Sequence, residues 1–174
     1  FSLIKNKCLF VEKVNLNKLN FKNNENIVIL NVPCGNVIIE LLPDISPNSV
    51  ERFKMLVKNK EYDNVAFHRV VKNFLVQAGD LEFGNKDNIN YTYIGSGRSK
   101  YDLIKPETNK PFKFKRGTIA FAKSKNRDFE DSEFLILLAD AFLFEGEYTP
   151  LGRVIYGISA LEKIKFSDQS EYVL

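Results

Sequence analysis

Phe67-His68-Arg69-Val70-Val71-Lys72-Asn73-Phe74-Leu75-Val76-Gln77-Ala78-Gly79-Asp80 is the most informative run in the chain. It reads as two short strand-like segments, around 65–71 and 74–78, built largely from β-branched, aromatic and aliphatic residues. It also carries the chain's single histidine, His68, which excludes a multi-histidine metal site. Taken without its neighbours, each polar residue here has an ordinary reading. His68 suits a structural place in a strand, and Arg69 suits a surface or ion-pair position.

The run sits between a helix and a long loop. Upstream, Ile27-Val28-Ile29-Leu30 and Val37-Ile38-Ile39 are β-branched runs separated by Pro33-Cys34-Gly35-Asn36, which predicts a hairpin. Ser46-Pro47 then offers an N-cap with proline at the first helical position. Val50, Phe53, Leu56 and Val57 recur at helical spacing, so a helix is expected over about 47–59. Downstream, 81–112 reads as loop, punctuated by Gly84, Gly95 and Gly97. A loop of that length inside a compact domain is usually functional or disordered. Strand signals return at Thr118–Ala122, Phe134–Leu138 and Leu151–Ile155. A short helix is expected after Gly157, with Ile158, Leu161 and Ile164 on one face. Six to eight short strands and two helices near opposite ends fit a closed antiparallel barrel with helices over its openings.

Composition narrows the function classes. The chain has 174 residues, one ordinary domain, with 44% hydrophobic and 27% charged residues. Its 15 Phe, 7 Tyr and absence of Trp supply ample core-building area. A net charge of +3, from 25 basic against 22 acidic residues, does not suggest nucleic-acid binding. No stretch approaches the ~18 consecutive apolar residues of a membrane span. Cys8 and Cys34 make neither a disulfide framework nor a metal site and read as reduced intracellular thiols. Residues 1–26 are polar and Asn/Lys-rich, an extension ahead of a domain over 27–174. The short apolar patch Cys8-Leu9-Phe10-Val11 falls short of a signal-peptide core. The chain opens on Phe1, and further residues are expected upstream.

Common catalytic signatures are missing: there is no nucleophile elbow, phosphate loop or dinucleotide fingerprint. Gly95-Ser96-Gly97 is too short a cluster to serve as a phosphate cradle. Glu130-Asp131 lies in a hydrophilic run and reads as a solvated pair.

The opening run nevertheless resembles the signature of the cyclophilins, the cyclosporin-binding peptidyl-prolyl isomerases. There the pattern is Phe-His-Arg, two aliphatics, two variable residues, Phe, an apolar residue, any residue and Gln-Gly-Gly-Asp; only Ala78 departs. Two further segments agree in order. Arg116-Gly117-Thr118-Ile119-Ala120-Phe121-Ala122, then Ser132-Glu133-Phe134-Leu135-Ile136, is similar to the family's Gly-(apolar/Ser)-Met-Ala followed by Ser-Gln-Phe-Phe-Ile. Gly146-Glu147-Tyr148-Thr149-Pro150-Leu151-Gly152-Arg153-Val154 resembles its closing Gly-x-[His/Tyr]-x-x-Phe-Gly-x-Val. With the hairpin and first helix, the resemblance spans residues 27–165.

The resemblance implies a mainly β, closed antiparallel barrel of about eight strands capped by two α-helices. It implies an isomerase of Xaa-Pro bonds in protein folding or conformational switching, without metal or cofactor. By it, Arg69 is the catalytic arginine and Gln77 holds the peptide backbone and supports Arg69. Phe74, Leu75 and Leu135 form the proline pocket, although by themselves they read as core. Ala122 and Lys123 lie beside the preceding substrate residues, and Tyr148 stands where the family has His or Tyr. Its partners would be proline-containing peptides or protein clients, with no nucleic acid or membrane, bound by a monomer; an intracellular and cytoplasmic location is expected, with nucleus or organelle left open.

Four departures bear on activity. Leu135 replaces the second Phe of Ser-Gln-Phe-Phe and shrinks the pocket. Glu133 replaces its Gln and adds negative charge. The family's wall Trp falls near Leu143 or Phe144, so weak cyclosporin binding is expected. Lys125-Asn126-Arg127-Asp128-Phe129-Glu130-Asp131 replaces a Gly/Asn-rich rim and runs one residue longer. The expected activity is therefore weakened, with a non-catalytic module binding Pro-containing segments as the alternative. Glu171-Tyr172-Val173-Leu174 is a candidate terminal strand, in competition with the N-terminal extension.

Overall fold

The computed structural model describes residues 2–4, 8, 11, 14–15, 19–21, 23–123, 128–164 and 171–173. In chain order the elements are β1 (Ser2–Ile4), β2 (Ile27–Val32), β3 (Gly35–Leu41), α1 (Pro47–Lys58), β4 (Arg69–Val71), β5 (Leu75–Ala78), β6 (Thr118–Phe121), β7 (Phe134–Leu137), β8 (Pro150–Tyr156), α2 (Ile158–Glu162) and β9 (Glu171–Val173). Seven strands form one sheet in the order β2-β3-β8-β6-β7-β5-β4, with every neighbouring pair antiparallel. Among the described residues no ladder joins its edge strands β2 and β4, so the expected closure is not seen. The two candidates for a terminal strand turn out to be partners: β1 and β9 pair in parallel as a separate two-stranded sheet.

Strand alternation sorts the core into two layers, because successive side chains point to opposite faces. Val70, Val76, Ala78, Ile119, Phe134 and Ile136 face one way and pack with Phe53 of α1 and Leu161 of α2. Leu75, Ala120, Leu135 and Leu137 face the other way, against Phe114 and Ala141. Both faces of β6 and β7 are therefore buried, as their unbroken apolar sequences require.

The predicted hairpin forms with a two-residue turn at Pro33-Cys34, pairing Val32 with Gly35. The first helix starts at Pro47, but Ser46 makes no side-chain cap; its hydroxyl donates to the carbonyl of Pro150. The helix N-terminus is instead capped from the long loop. The Glu107 carboxylate accepts from the backbone N–H groups of Asn48 (3.3 Å) and Ser49 (2.8 Å), where the helix dipole favours negative charge.

The expectation of reduced thiols is corrected. Cys8 and Cys34 form a disulfide with Cα atoms 5.3 Å apart, within the span such a bond needs. Cys34 is buried at the hairpin turn, so the bond staples the extension to the sheet. Spacing in sequence carried no hint of this, since the two residues meet only through the fold. No helix among the described residues is long and apolar enough to cross a membrane.

Candidate functional site

A surface groove of about 680 Å³ runs past Gln77 of β5, Ala122 and Lys123 just beyond the end of β6, and the segment Asp131–Glu133 that leads into β7. Its lining includes Gln77, Ala122, Lys123, Glu133, Leu143, Phe144 and Tyr148, seven of the residues anticipated from sequence. Register explains how they converge. Arg69 stands opposite Gln77 across β4 and β5, Gln77 opposite Leu135 across β5 and β7, and Leu135 opposite Ala120 across β7 and β6. Residues directly opposite share a face, so one cross-strand row carries Arg69, Gln77 and Leu135.

Arg69 is exposed, and its Nη1 donates to Gln77 Oε1 at 3.3 Å. Gln77 Nε2 donates in turn to Glu133 Oε2 at 2.7 Å. The same carboxylate oxygen lies 3.3 Å from Nε2 of His68, whose side chain is 5% exposed. His68 thus has a buried side chain immediately ahead of β4 rather than within a strand, and it is wired to the groove.

Beside this polar row lies an apolar cluster. Leu75 and Leu135 are buried in it and, like Arg69 and Phe74, are not among the residues lining the groove. The half-buried rings of Phe74, Phe144 and Tyr148 stand above them. Phe74 meets Phe144 edge-on with centroids 6.0 Å apart, and Phe144 stacks on Tyr148 at 4.2 Å. Of the two residues anticipated near the missing Trp, Phe144 packs into this cluster, while Leu143 projects outward, 90% exposed at the rim.

The other side of the groove is held by charge. Lys123 pairs with Glu147 (2.7 Å) and lies 5.1 Å over the Tyr148 ring. Asp131 accepts from the backbone N–H of Ser99 at 2.7 Å and faces Arg52 of α1 at 3.6 Å. Tyr62 donates to the carbonyl of Ser132 at 2.8 Å; burial pushes its phenol well above the usual range, helped by the charge of Asp131.

The reading of Glu130-Asp131 as a solvated pair is corrected. Glu130 is 1% and Asp131 8% exposed. The backbone of Glu130 bridges to Ile104 in both directions, at 3.0 and 2.8 Å, which draws the pair beneath the long loop. Burial is the main cause that lifts the Glu130 carboxyl from its ordinary 4.5 to about 7, with Glu107 adding to it; the nearby Thr149 and Ser49 hydroxyls work in the opposite sense.

Asp80, the last residue of the signature run, has a task that its sequence neighbours do not disclose. Its buried carboxylate gathers four backbone N–H groups: Glu82 (3.1 Å) and Phe83 (2.8 Å) on Oδ1, Gly95 (2.6 Å) and Gly97 (3.0 Å) on Oδ2. That folds the 81–97 loop against the sheet and puts Gly95, Ser96 and Gly97 on the groove wall. The glycine cluster therefore turns its amides to a carboxylate of its own chain. A Cβ on Gly97 would come within 2.1 Å of Asp80 Oδ1. The signal was an acidic residue at a strand end ahead of a glycine-punctuated loop. Lys125, Asn126 and Arg127 of the altered rim lie outside the described residues. No cluster of metal-ligating side chains occurs among the described residues.

Residues 27–173 match the family model described as cyclophilin type peptidyl-prolyl cis-trans isomerase/CLD. A protein of Brucella suis named "Probable peptidyl-prolyl cis-trans isomerase" is 40% identical over 148 residues, covering 84% of this chain and 75% of that protein. A Helicobacter pylori peptidyl-prolyl cis-trans isomerase is 32% identical over 142 residues, covering 80% of each. Among solved structures, a cyclophilin from Hirschia baltica superposes with a TM-score of 0.69 at 16% identity, covering 83% of this chain and 69% of that one. A Cryptosporidium parvum cyclophilin type isomerase, solved in the presence of the dipeptide Ala-Pro, gives 0.65 at 27% identity, covering 78% and 84%.

Proposed function

The chain belongs to the cyclophilin-type peptidyl-prolyl cis-trans isomerase family, and we propose that it isomerises Xaa-Pro bonds in protein clients with Arg69 as its catalytic residue. One observation carries the reading: the Arg69 guanidinium is held by Gln77, a groove residue, beside an apolar cluster of Leu75, Leu135 and the Phe74 and Phe144 rings. A prolyl bond rotates over a barrier of ~20 kcal/mol because amide resonance must be broken. That needs no nucleophile, metal or proton shuttle. An apolar surface grips the proline ring, and a fixed cation donates to the prolyl nitrogen as it becomes pyramidal. Arginine suits the task because it stays charged and presents a rigid fork of donors.

Magnitudes agree with that division of work. A 10⁴-fold acceleration requires about 5.4 kcal/mol. One charge-assisted hydrogen bond supplies roughly 1.5–3 of it, and removal of the peptide from water with correct orientation supplies the remainder. Ala122, Lys123 and the Glu147 pair flank the chain ahead of proline. Activity is weakened relative to typical members, because Leu135 gives less ring contact than Phe and Leu143 projects into solvent. Weak cyclosporin binding and a monomeric state belong to the same reading.

The compartment follows from the redox state. A disulfide persists in an oxidising milieu, so the cytoplasmic expectation holds only where Cys8 and Cys34 stay reduced. Mass measurement of the native protein after thiol alkylation separates the two.

A protease-coupled assay on Xaa-Pro peptides tests the activity. Arg69→Ala is expected to lower kcat/KM by about 10- to 150-fold, the worth of one charge-assisted hydrogen bond. Equal rates in both proteins would remove Arg69 from the mechanism. A wild type no faster than the uncatalysed reaction would leave a non-catalytic module that binds Pro-containing segments.

A further inference from the structure

We infer that Glu133 and His68 are positioning residues that fix which end of the Gln77 amide faces Arg69, an inference that rests on the isomerase reading above. Three contacts define the order. His68 Nε2 and Gln77 Nε2 both meet Glu133 Oε2, at 3.3 and 2.7 Å, and Gln77 Oε1 accepts from Arg69 at 3.3 Å. A primary amide has two unlike ends: its nitrogen only donates and its oxygen only accepts. A carboxylate only accepts. Glu133 therefore selects the NH₂ end of Gln77 and leaves the carbonyl oxygen turned to the guanidinium. A glutamine at 133, the residue of the similar family motif, offers either end and leaves the choice to the donor-only Arg69 guanidinium alone.

His68 completes the arrangement from the other side of β5. Its Nε2 faces a carboxylate, so that nitrogen carries the proton. Its Nδ1 is buried with no hydrogen-bond partner among the described residues. The imidazole is thereby committed to Glu133. The side chains of His68 and Glu133 are 5% and 17% exposed, and in such low-dielectric surroundings the choice between two amide orientations is stronger than at the surface. Glu133, read from sequence only as an added charge in the groove, becomes the residue that organises the Arg69–Gln77 pair.

The test compares wild type with Glu133→Leu and Glu133→Gln. Loss of the acceptor in Glu133→Leu is expected to lower kcat about tenfold, the scale of one hydrogen bond, with KM within about twofold. Glu133→Gln retains an oxygen acceptor and is expected to recover part of this, to about threefold below wild type. That graded recovery separates positioning from simple misfolding. In parallel, the side-chain amide signals of Gln77 in ¹⁵N-labelled protein, assigned with Gln77→Ala, are expected to move in Glu133→Leu.

Unchanged kcat, or a loss confined to KM, would overturn the inference and make Glu133 a direct peptide contact. Unmoved Gln77 signals would overturn it as well. If the wild type itself shows no isomerisation, the isomerase reading fails by that result. The amide signals then decide alone: moved signals uphold the relay in a peptide-binding groove, and unmoved signals reject it.

Discussion

The two sides of the groove are built by different physics. On the apolar side, Leu75 and Leu135 are placed by strand register beneath the groove, and Phe74 and Phe144 pack against the cluster they form with Phe114 and Ala141. On the charged side, Gly95, Gly97, Ser99 and Asp131 belong to loops held by buried carboxylates. Register cannot slip without turning every side chain to the wrong face, so the apolar side tolerates local substitution. The loop side concentrates its stability in a few acceptors, and removing one frees several backbone donors together.

Asp80→Ala should therefore give the largest effect. Four N–H groups lose a charged acceptor, and more than about 3 kcal/mol of stability is expected to go, since hydrogen bonds to charged groups contribute about 1.5–3 each. Urea unfolding at an unchanged m-value measures it. A loss below about 1 kcal/mol would mean the loop is held by packing, erasing the contrast between the two sides.

Glu130 sharpens the same contrast through pH. Its folded-state carboxyl is raised from 4.5 to about 7, so between those values the folded protein holds a proton that the unfolded chain has released. Stability contributed by that proton is complete below about pH 4.5, falls as pH climbs, and is lost above about 7. The span corresponds to about 3 kcal/mol. Glu130→Gln is expected to flatten this slope and to be more stable than wild type at pH 8; thermal unfolding across pH 4.5–8 checks it. A wild-type profile that rises over this window would contradict the burial of Glu130.

The smallest effect concerns the apolar side. Leu143 lies 90% exposed beside the Phe144–Tyr148 stack. Leu143→Trp adds ring area and an indole donor at the rim, and cyclosporin binding should tighten about tenfold. Calorimetric titration reads it, and no gain would show that Phe144 already occupies the place a ring would take.

Much of the apolar side was legible in sequence. Fourteen consecutive residues from Phe67 to Asp80 read as two short strand-like segments, and the fold pairs them so that Arg69 stands opposite Gln77. Of the groove lining itself that run supplies only Gln77. The charged side was not legible, because its contacts join residues far apart in the chain and of ordinary surface type. Glu130 and Asp131 look solvated until Ile104, Ser99 and Arg52 close over them. Ser46 looks like a cap until Glu107 takes that task.

Local pattern thus determined most strands and the first helix, since side-chain alternation and turn chemistry act over a few neighbours, while the groove residues were singled out by the motif resemblance. Tertiary structure alone decided the Cys8–Cys34 bond, the pairing of the two chain ends, the burial of Glu130 and the His68–Glu133–Gln77–Arg69 order. Each of these depends on which distant segments meet and on how much water their meeting excludes, and those two quantities exist only once the chain has folded.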